Sequence, residues 1–226
     1  LQEKIRALYD RQRERSRRGE IDDPFAAANR TPELVALEER FQKLVEEQRS
    51  LMVKDEYDKI YTGAGATGMN AFTNQDMTVY FVTVPANKLE LWFWMESDRI
   101  GNLVLREFYS ERDVVHEERR LRTESTPTGK YDEQLDAMFW GAHPYRWPVV
   151  GWPSDLRVIS KAQAEEYYDT FYSPNNLTAA LVGNFDPAQV RALAQKYFGR
   201  YPRGRKEPPS VVTLEVPQID LFASGA

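Results

Sequence analysis

The sequence predicts an α+β fold, a two-layer sandwich with helices packed on a largely antiparallel sheet. Three observations carry that prediction. Asn70–Thr73 and Met77–Val84 are strand-like runs separated by the polar turn Asn74-Gln75-Asp76, a β-hairpin pattern. A further strand-like run, Leu177–Val182, sits between a short helix and a capped one. Around these, apolar residues recur at a spacing of three or four, the period of helices with one buried face. Helices alternating with hairpin strands favour helices on one side of an antiparallel sheet.

Composition narrows the function. The 226 residues carry a net charge of −5, which argues against a dedicated nucleic-acid binder. With 42% hydrophobic and 12% aromatic residues, the chain can bury a core and is not a disordered segment. There is no cysteine, so disulfides, thiol nucleophiles and cysteine metal sites are all excluded. His116 and His143 are the only histidines, so no three-histidine site can form. No apolar run is long enough to span a membrane, and no signal-peptide pattern appears. The chain opens on Leu1 inside a helical pattern, and the expectation is that this is not a natural start.

Taken in order, residues 1–18 read as a helix with Ile5, Leu8 and Tyr9 apolar and a basic end from Arg11 to Arg18. The acidic total makes that end an exposed helix terminus rather than a nucleic-acid patch. Gly19–Pro24 breaks the helix. Thr31-Pro32-Glu33 starts another with an N-cap, a proline at the first helical position and a first-turn carboxylate. Leu34, Leu37, Phe41, Leu44, Val45 and Leu51 continue its stripe. Residues 1–53 are therefore expected to form a helical hairpin inserted into a domain.

Gly63-Ala64-Gly65-Ala66-Thr67-Gly68 matches the dinucleotide pattern G-x-G-x-x-G, but a charged segment precedes it and a strand follows. The phosphate site needs the opposite order, so a glycine loop is the better reading. In the hairpin, the first strand has polar ends, as an edge strand would, and the second is bulky on both faces, as a central strand would be. A helix from Asn87 carries Leu89, Trp92, Phe93 and Ile100. The Glu111–Glu118 helix and another running to Trp140 come next, before a Pro- and aromatic-rich loop, His143–Pro153. Beyond Ser173-Pro174-Asn175-Asn176 lie the 177–182 strand and a capped helix, Asp186 to about Phe198. The tail from Tyr201 reads as a linker, and Ile219–Phe222 as the start of another element.

Glu111 and Glu118, seven residues apart on a helix, share one face with an offset of about 20°. Val114 and Val115 lie between them, so the stripe is apolar with a carboxylate at each end. Carboxylates beside a buried stripe need a metal, an arginine or backbone donors. The plainer reading is a solvated helix edge with ordinary ion pairs. A glycosidase pair fits poorly, because two helical turns separate the backbones by roughly 10 Å and that chemistry uses carboxyls about 5–9.5 Å apart.

Five segments in order carry a resemblance: NAFTNQDMTVYF (Asn70–Phe81), ESDRI (Glu96–Ile100), ERDVVHEERR (Glu111–Arg120), HPYRWPVVGW (His143–Trp152) and SPNNLTAALVGNFDP (Ser173–Pro187). Together they resemble the pitrilysin/insulinase family of zinc peptidases over about residues 54–216, with 1–53 similar to a helical insertion in some bacterial members. The resemblance divides the chain into an insertion (1–53), a partial peptidase domain (54–216) and a linker or start of a next domain (217–226).

In that family an inverted H-x-x-E-H motif supplies two histidine ligands and the glutamate that activates the zinc-bound water. A later glutamate is the third ligand, and another, seven residues before it, supports the metal electrostatically. The resemblance implies Glu118 as the metal ligand and Glu111 as the supporting catalytic residue. It also implies Asn70, Ala71 and Phe72 as contacts to an extended substrate added as a β-strand. Nothing in the chain matches H-x-x-E-H.

The expectation is part of a zinc metalloendopeptidase, cut before that motif and inactive alone. The alternative is a non-catalytic peptide-binding subunit of a two-chain peptidase; the presence of both glutamates favours the first. His116, about 140° round the helix from Glu111, and His143, in a Pro-rich loop, are expected to bind no metal. The implied partners are a peptide or unfolded protein substrate, the missing N-terminal segment and a second homologous domain or subunit, with no nucleic acid and no membrane span. The implied cofactor is zinc in the complete protein, and the implied compartment is the bacterial periplasm or cell envelope.

Overall fold

A computed structural model describes residues 1–51 and 55–215. The chain begins with two helices, α1 (Gln2–Arg17) and α2 (Pro32–Ser50). The start of α2 is built as its sequence suggests: Thr31 Oγ1 accepts the Leu34 amide at 3.2 Å, and Pro32 occupies the first turn. The two helices share a small core of their own. Leu34 is fully buried, Tyr9 donates to Glu38 at 2.5 Å, and the rings of Tyr9 and Phe25 lie 5.2 Å apart. Arg13 pairs with Asp155 at 3.7 Å, while Gln48 donates to the Arg106 carbonyl at 2.9 Å and Arg49 to Ser110 at 2.7 Å. The helical pair is thus held to the rest of the chain near both of its ends.

Helix α3 (Glu56–Gly63) leads into strands β1 (Thr67–Thr73) and β2 (Thr78–Thr83). A helix before the glycine loop and a strand after it is the reverse of a dinucleotide site. Gly65 and Gly68 take φ of +87° and +63°, conformations open to glycine, and Gly68 lies where the β1–β2 register slips. Beyond the bulge the strands pair antiparallel, Asn70 with Phe81, Ala71 with Tyr80 and Phe72 with Val79. The turn is tied by Asn74, whose side-chain oxygen accepts the amides of Asp76 and Met77, each at 2.9 Å.

The main core lies where the hairpin meets α3 and α4 (Leu89–Gly101): Tyr61, Ala66 and Met95 are buried, with Ile60, Val82, Val84, Leu91 and Trp92 packed around them. Helix α9 (Pro187–Tyr197) closes over α4, where Phe198 stands 5.9 Å from the ring of Phe93. The chain crosses α4 closely at Gly101. A Cβ there would lie 2.1 Å from the Tyr201 hydroxyl, which donates to the Ser97 carbonyl at 2.8 Å. Helices α5 (Phe108–Arg119), α6 (Gly129–Phe139), the single turn α7 (Pro153–Leu156) and α8 (Lys161–Phe171) complete the structure. Helix α8 starts with a capping box: Ser160 Oγ accepts the Gln163 amide at 3.3 Å, and Gln163 accepts the Ser160 amide at 3.0 Å.

The class is α+β, as the sequence predicts, but the sheet is smaller. Residues 177–182 run outside any ladder, and Val182 is 99% exposed. A strand needs a partner's amides and carbonyls, and a cavity of about 200 Å³ separates Ala180–Phe185 from Val82, Val84 and Trp92. For the same reason β2 is not central: among the described residues it pairs with β1 alone. The expected apolar element at 219–222, like the 217–226 linker, lies outside the described residues.

Candidate functional site

Glu111 and Glu118 both fall within α5, the first in its opening turn and the second near its end. Glu118 reaches Arg122 at 2.9 Å, a pair whose side chains are 40% and 79% exposed and which therefore adds little stability. Glu111 makes no side-chain hydrogen bond or ion pair among the described residues. In the stripe between the carboxylates Val115 is half-buried and the rest is exposed. Val114 is 56% exposed and Leu121, one turn on, 59% exposed, since no described element packs over them. The α5 face is thus apolar, acidic and open.

The residue after Glu118 is what fixes the helix. Arg119 is 4% exposed and donates to both oxygens of Glu133 on α6, at 2.5 and 2.8 Å, and to the Gly151 carbonyl at 3.0 Å. The hydrogen bonds that Arg119 donates to Glu133 raise the Arg119 pKa against the opposing effect of burial. Its Nε stands 3.5 Å from Glu124 in an ion pair without hydrogen-bond geometry. After Arg119 the backbone widens into a π-turn, Arg120–Glu124, in which the Ser125 amide donates to the Arg120 carbonyl at 2.9 Å. Such turns recur at functional sites. Sequence reasoning missed both features. An arginine in a run of charges carries no mark of burial, and a π-turn has no spacing signal.

Asn70, Ala71 and Phe72 are consecutive on β1, and all seven positions of that strand are exposed. Among the described residues β1 pairs with β2 alone, so its other edge faces no strand. The Asn70 side chain accepts the Ala71 amide at 2.8 Å, so an added strand pairing with that amide would displace this exposed bond.

No hydrogen bond or ion pair joins the α5 carboxylates to Asn70–Phe72 among the described residues. The loop from His143 to Trp152 connects the two regions. At one end the Tyr145 hydroxyl donates to Asp76 in the hairpin turn, at 2.7 and 2.8 Å, which raises the phenol's pKa. At the other end the Gly151 carbonyl takes the Arg119 bond. The loop is itself pinned by Glu215, whose carboxylate accepts the amides of His143 at 2.7 Å, Ala142 at 3.1 Å and Gly141 at 2.6 Å. Those three donors hold the Glu215 pKa below the usual range, the His143 amide most of all.

A second fixture holds the hairpin from below. Glu96, 8% exposed, accepts from Tyr57 at 2.5 Å and Tyr61 at 3.0 Å and pairs with Arg99, whose guanidinium lies 4.1 Å from the centre of the Tyr80 ring. Burial, followed by the bond to Glu96, pushes the Tyr57 phenol up to about 12. Tyr80 donates or accepts across 2.8 Å to Tyr172 at the end of α8.

Among the described residues no three His, Cys, Asp or Glu side chains stand together as a metal site. His116 faces Arg112 and Arg157 instead, and burial followed by those two charges lowers its pKa. His143 accepts the Tyr145 amide through Nδ1 at 3.3 Å, a turn-stabilising role. The described donor set supplies Glu118 and Glu111 but does not by itself compose a zinc site.

Comparisons with known proteins bear on the fold that carries these elements. Residues 159–221 match the family described as the Peptidase M16 inactive domain. The zinc protease PqqE of Helicobacter pylori is 31% identical over 145 residues, 63% of this chain and 32% of that protein. The crystal structure of a protease from Helicobacter pylori superposes with a TM-score of 0.61 at 27% identity, covering 74% of this chain and 39% of that one. The periplasmic protease PqqL from Escherichia coli shares the fold, with a TM-score of 0.57 at 20% identity over 66% of this chain and 17% of its own. The chain is homologous to M16 zinc proteases over this stretch, which supports a place in the pitrilysin/insulinase family. It spans about a third of the length of curated relatives such as PqqE and about a sixth of the PqqL proteases.

Proposed function

We propose that the chain is part of a zinc metalloendopeptidase and supplies two of its working surfaces. The open edge of β1 takes an extended peptide or unfolded protein segment as an added strand, with Asn70, Ala71 and Phe72 in contact with it. Main-chain pairing gives affinity there, and side chains on alternate positions give selectivity. The α5 face supplies Glu118 as the third protein ligand of the zinc and Glu111 as the carboxylate that supports it. Zinc, when bound, supplies an activated water for peptide hydrolysis. Because a catalytic zinc needs about three protein ligands, residues 1–226 alone hold no stoichiometric zinc and cleave no peptide. The other ligands come from an H-x-x-E-H segment outside this sequence, and a second homologous domain or subunit completes the chamber. Residues 1–53 are an insertion on residues 54–216, and the protein works in the bacterial periplasm or cell envelope. Among the described residues no helix is long and apolar enough to cross a membrane.

The observation that carries this reading is the strut from Asp76 through Tyr145 and Gly151 to Arg119. It ties the hairpin that carries Asn70–Phe72 to the helix that carries Glu118, which supports a shared role for the two. The test is peptide binding to the 226-residue chain by calorimetry, with wild type against Ala71→Pro. The reading expects binding by wild type and its loss in the variant; equal binding by both would remove β1 from the account.

A second reading has one observation in its favour, the match of 159–221 to a domain described as inactive. In it the chain is a non-catalytic peptide-binding subunit paired with an active partner. The coding sequence upstream of Leu1 separates the two. An H-x-x-E-H there supports the first, and a start codon without it supports the second.

A further inference from the structure

The two helices at the start of the chain do not lie flush on α5. They are held near their ends, by Arg13 on Asp155 and by Gln48 and Arg49 beside the start of α5, where Phe41 meets Tyr109 edge-on at 4.6 Å. Between these anchors is an open cavity of about 940 Å³. That is within the range of sites for small organic ligands.

Its walls are mixed. Ile5, Phe25 and Ile159 offer apolar surface, and Arg112 and Arg157 present guanidinium groups. Among the described residues neither arginine forms an ion pair with a carboxylate. Arg112 Nε is buried with no hydrogen-bond partner among the described residues. An unsatisfied buried donor is costly, and with that nitrogen closed to solvent a carboxylate in the cavity would meet the guanidinium through its terminal nitrogens. Arg157 lies 4.7 Å from the centre of the Phe25 ring and forms no ion pair among the described residues. Asp113 lines the same cavity but pairs with neither arginine. On the opposite wall Glu38 is already engaged by Tyr9 and, at 3.5 Å, by Arg30.

We propose that this cavity binds a small amphipathic carboxylate, with its anionic end on Arg112 and Arg157 and its apolar body against Ile5, Phe25 and Ile159. Guanidinium groups suit a carboxylate because their N–H donors match its two oxygens. Five basic and five acidic side chains line the cavity, so its formal charge is balanced and a single negative charge suits it better than a multiply charged phosphate. The site is independent of the peptidase reading and survives or fails without it.

Sodium octanoate is the probe, and the two histidines make it readable. His116 lines the cavity and His143 does not, and no other histidine exists. Proton NMR of the 226-residue chain at pH 8 follows both rings during the titration. The proposal expects a saturable shift of the His116 signals with His143 unmoved. Arg112→Gln and Arg157→Gln should each weaken binding at least about fivefold, while Arg17→Gln leaves it unchanged. Arg157 is surface-exposed, so its variant carries the test if the Arg112 variant fails to fold by circular dichroism. The proposal is overturned if octanoate moves neither histidine, moves both without saturation, or binds the Arg157 variant as tightly as wild type. Inorganic phosphate binding as tightly as octanoate would overturn it equally.

Discussion

The Arg119 guanidinium grips Glu133 with two hydrogen bonds, and the same side chain holds the Gly151 carbonyl at 3.0 Å. This bond set ties three segments together one residue from Glu118. Breaking a buried pair is worse than never having had one, since the remaining carboxylate keeps its desolvation cost. Arg119→Met should therefore destabilise the chain by about 3 kcal/mol in urea unfolding. Arg119→Met with Glu133→Leu should recover part of that loss. A single variant as stable as wild type would show that the pair does not anchor α5.

The crossing at Gly101 is a steric matter. A methyl group there meets the Tyr201 ring and drives its hydroxyl off the Ser97 carbonyl. Gly101→Ala should cost about 1–3 kcal/mol, the range for overpacking a tight contact. Gly101→Ala combined with Tyr201→Ala removes the clash, so the pair should be less destabilised than the two single losses added together. Simple additivity in thermal melts would contradict this.

The tyrosines around Glu96 set an alkaline limit. The folded pKa of Tyr57, about 12, lies above its ordinary value near 10, so the neutral phenol is the favoured form in the fold. The stability this provides is fully present below pH 10 and is lost as pH rises through 12. Burial comes first among the causes, so the effect belongs to the packed site and not to the bond alone. Tyr57→Phe should flatten the fall in urea midpoint between pH 10 and 12. An unchanged slope would mean that other groups govern it.

Much of the frame was legible in the sequence for stated physical reasons. The Asn70–Val84 hairpin shows itself because side chains alternate along it and Asn74 is a turn former that bonds its own backbone. Thr31 and Asp186 mark helix starts because their oxygens accept the first free amides. Glu111 and Glu118 share a face by helical geometry alone. Other features depend on chain segments that meet only in three dimensions. The Arg119–Glu133 pair spans a loop, the three amides that capture Glu215 lie more than 70 residues away from it, and the 177–182 run lacks a ladder partner. Spacing is silent about such pairings.

The edge of β1 yields a separate prediction. Proline at position 71 removes one amide from the strand, and Pro is tolerated on an edge strand. Ala71→Pro should weaken binding of an extended peptide by roughly tenfold or more, one lost main-chain bond in a desolvated setting. Val182→Pro, on an exposed segment outside the ladder, should leave binding unchanged. If both variants bind alike, the peptide does not add to β1.

The central claim is that Glu118 completes a zinc site whose other ligands lie outside residues 1–226. The direct measurement is the metal content of the complete gene product, by atomic absorption after dialysis, for wild type and Glu118→Gln. Helicity checked by circular dichroism must match in both. The account predicts about one zinc per wild-type molecule and a loss of most of it in the variant. Undiminished zinc in a folded Glu118→Gln protein would contradict it.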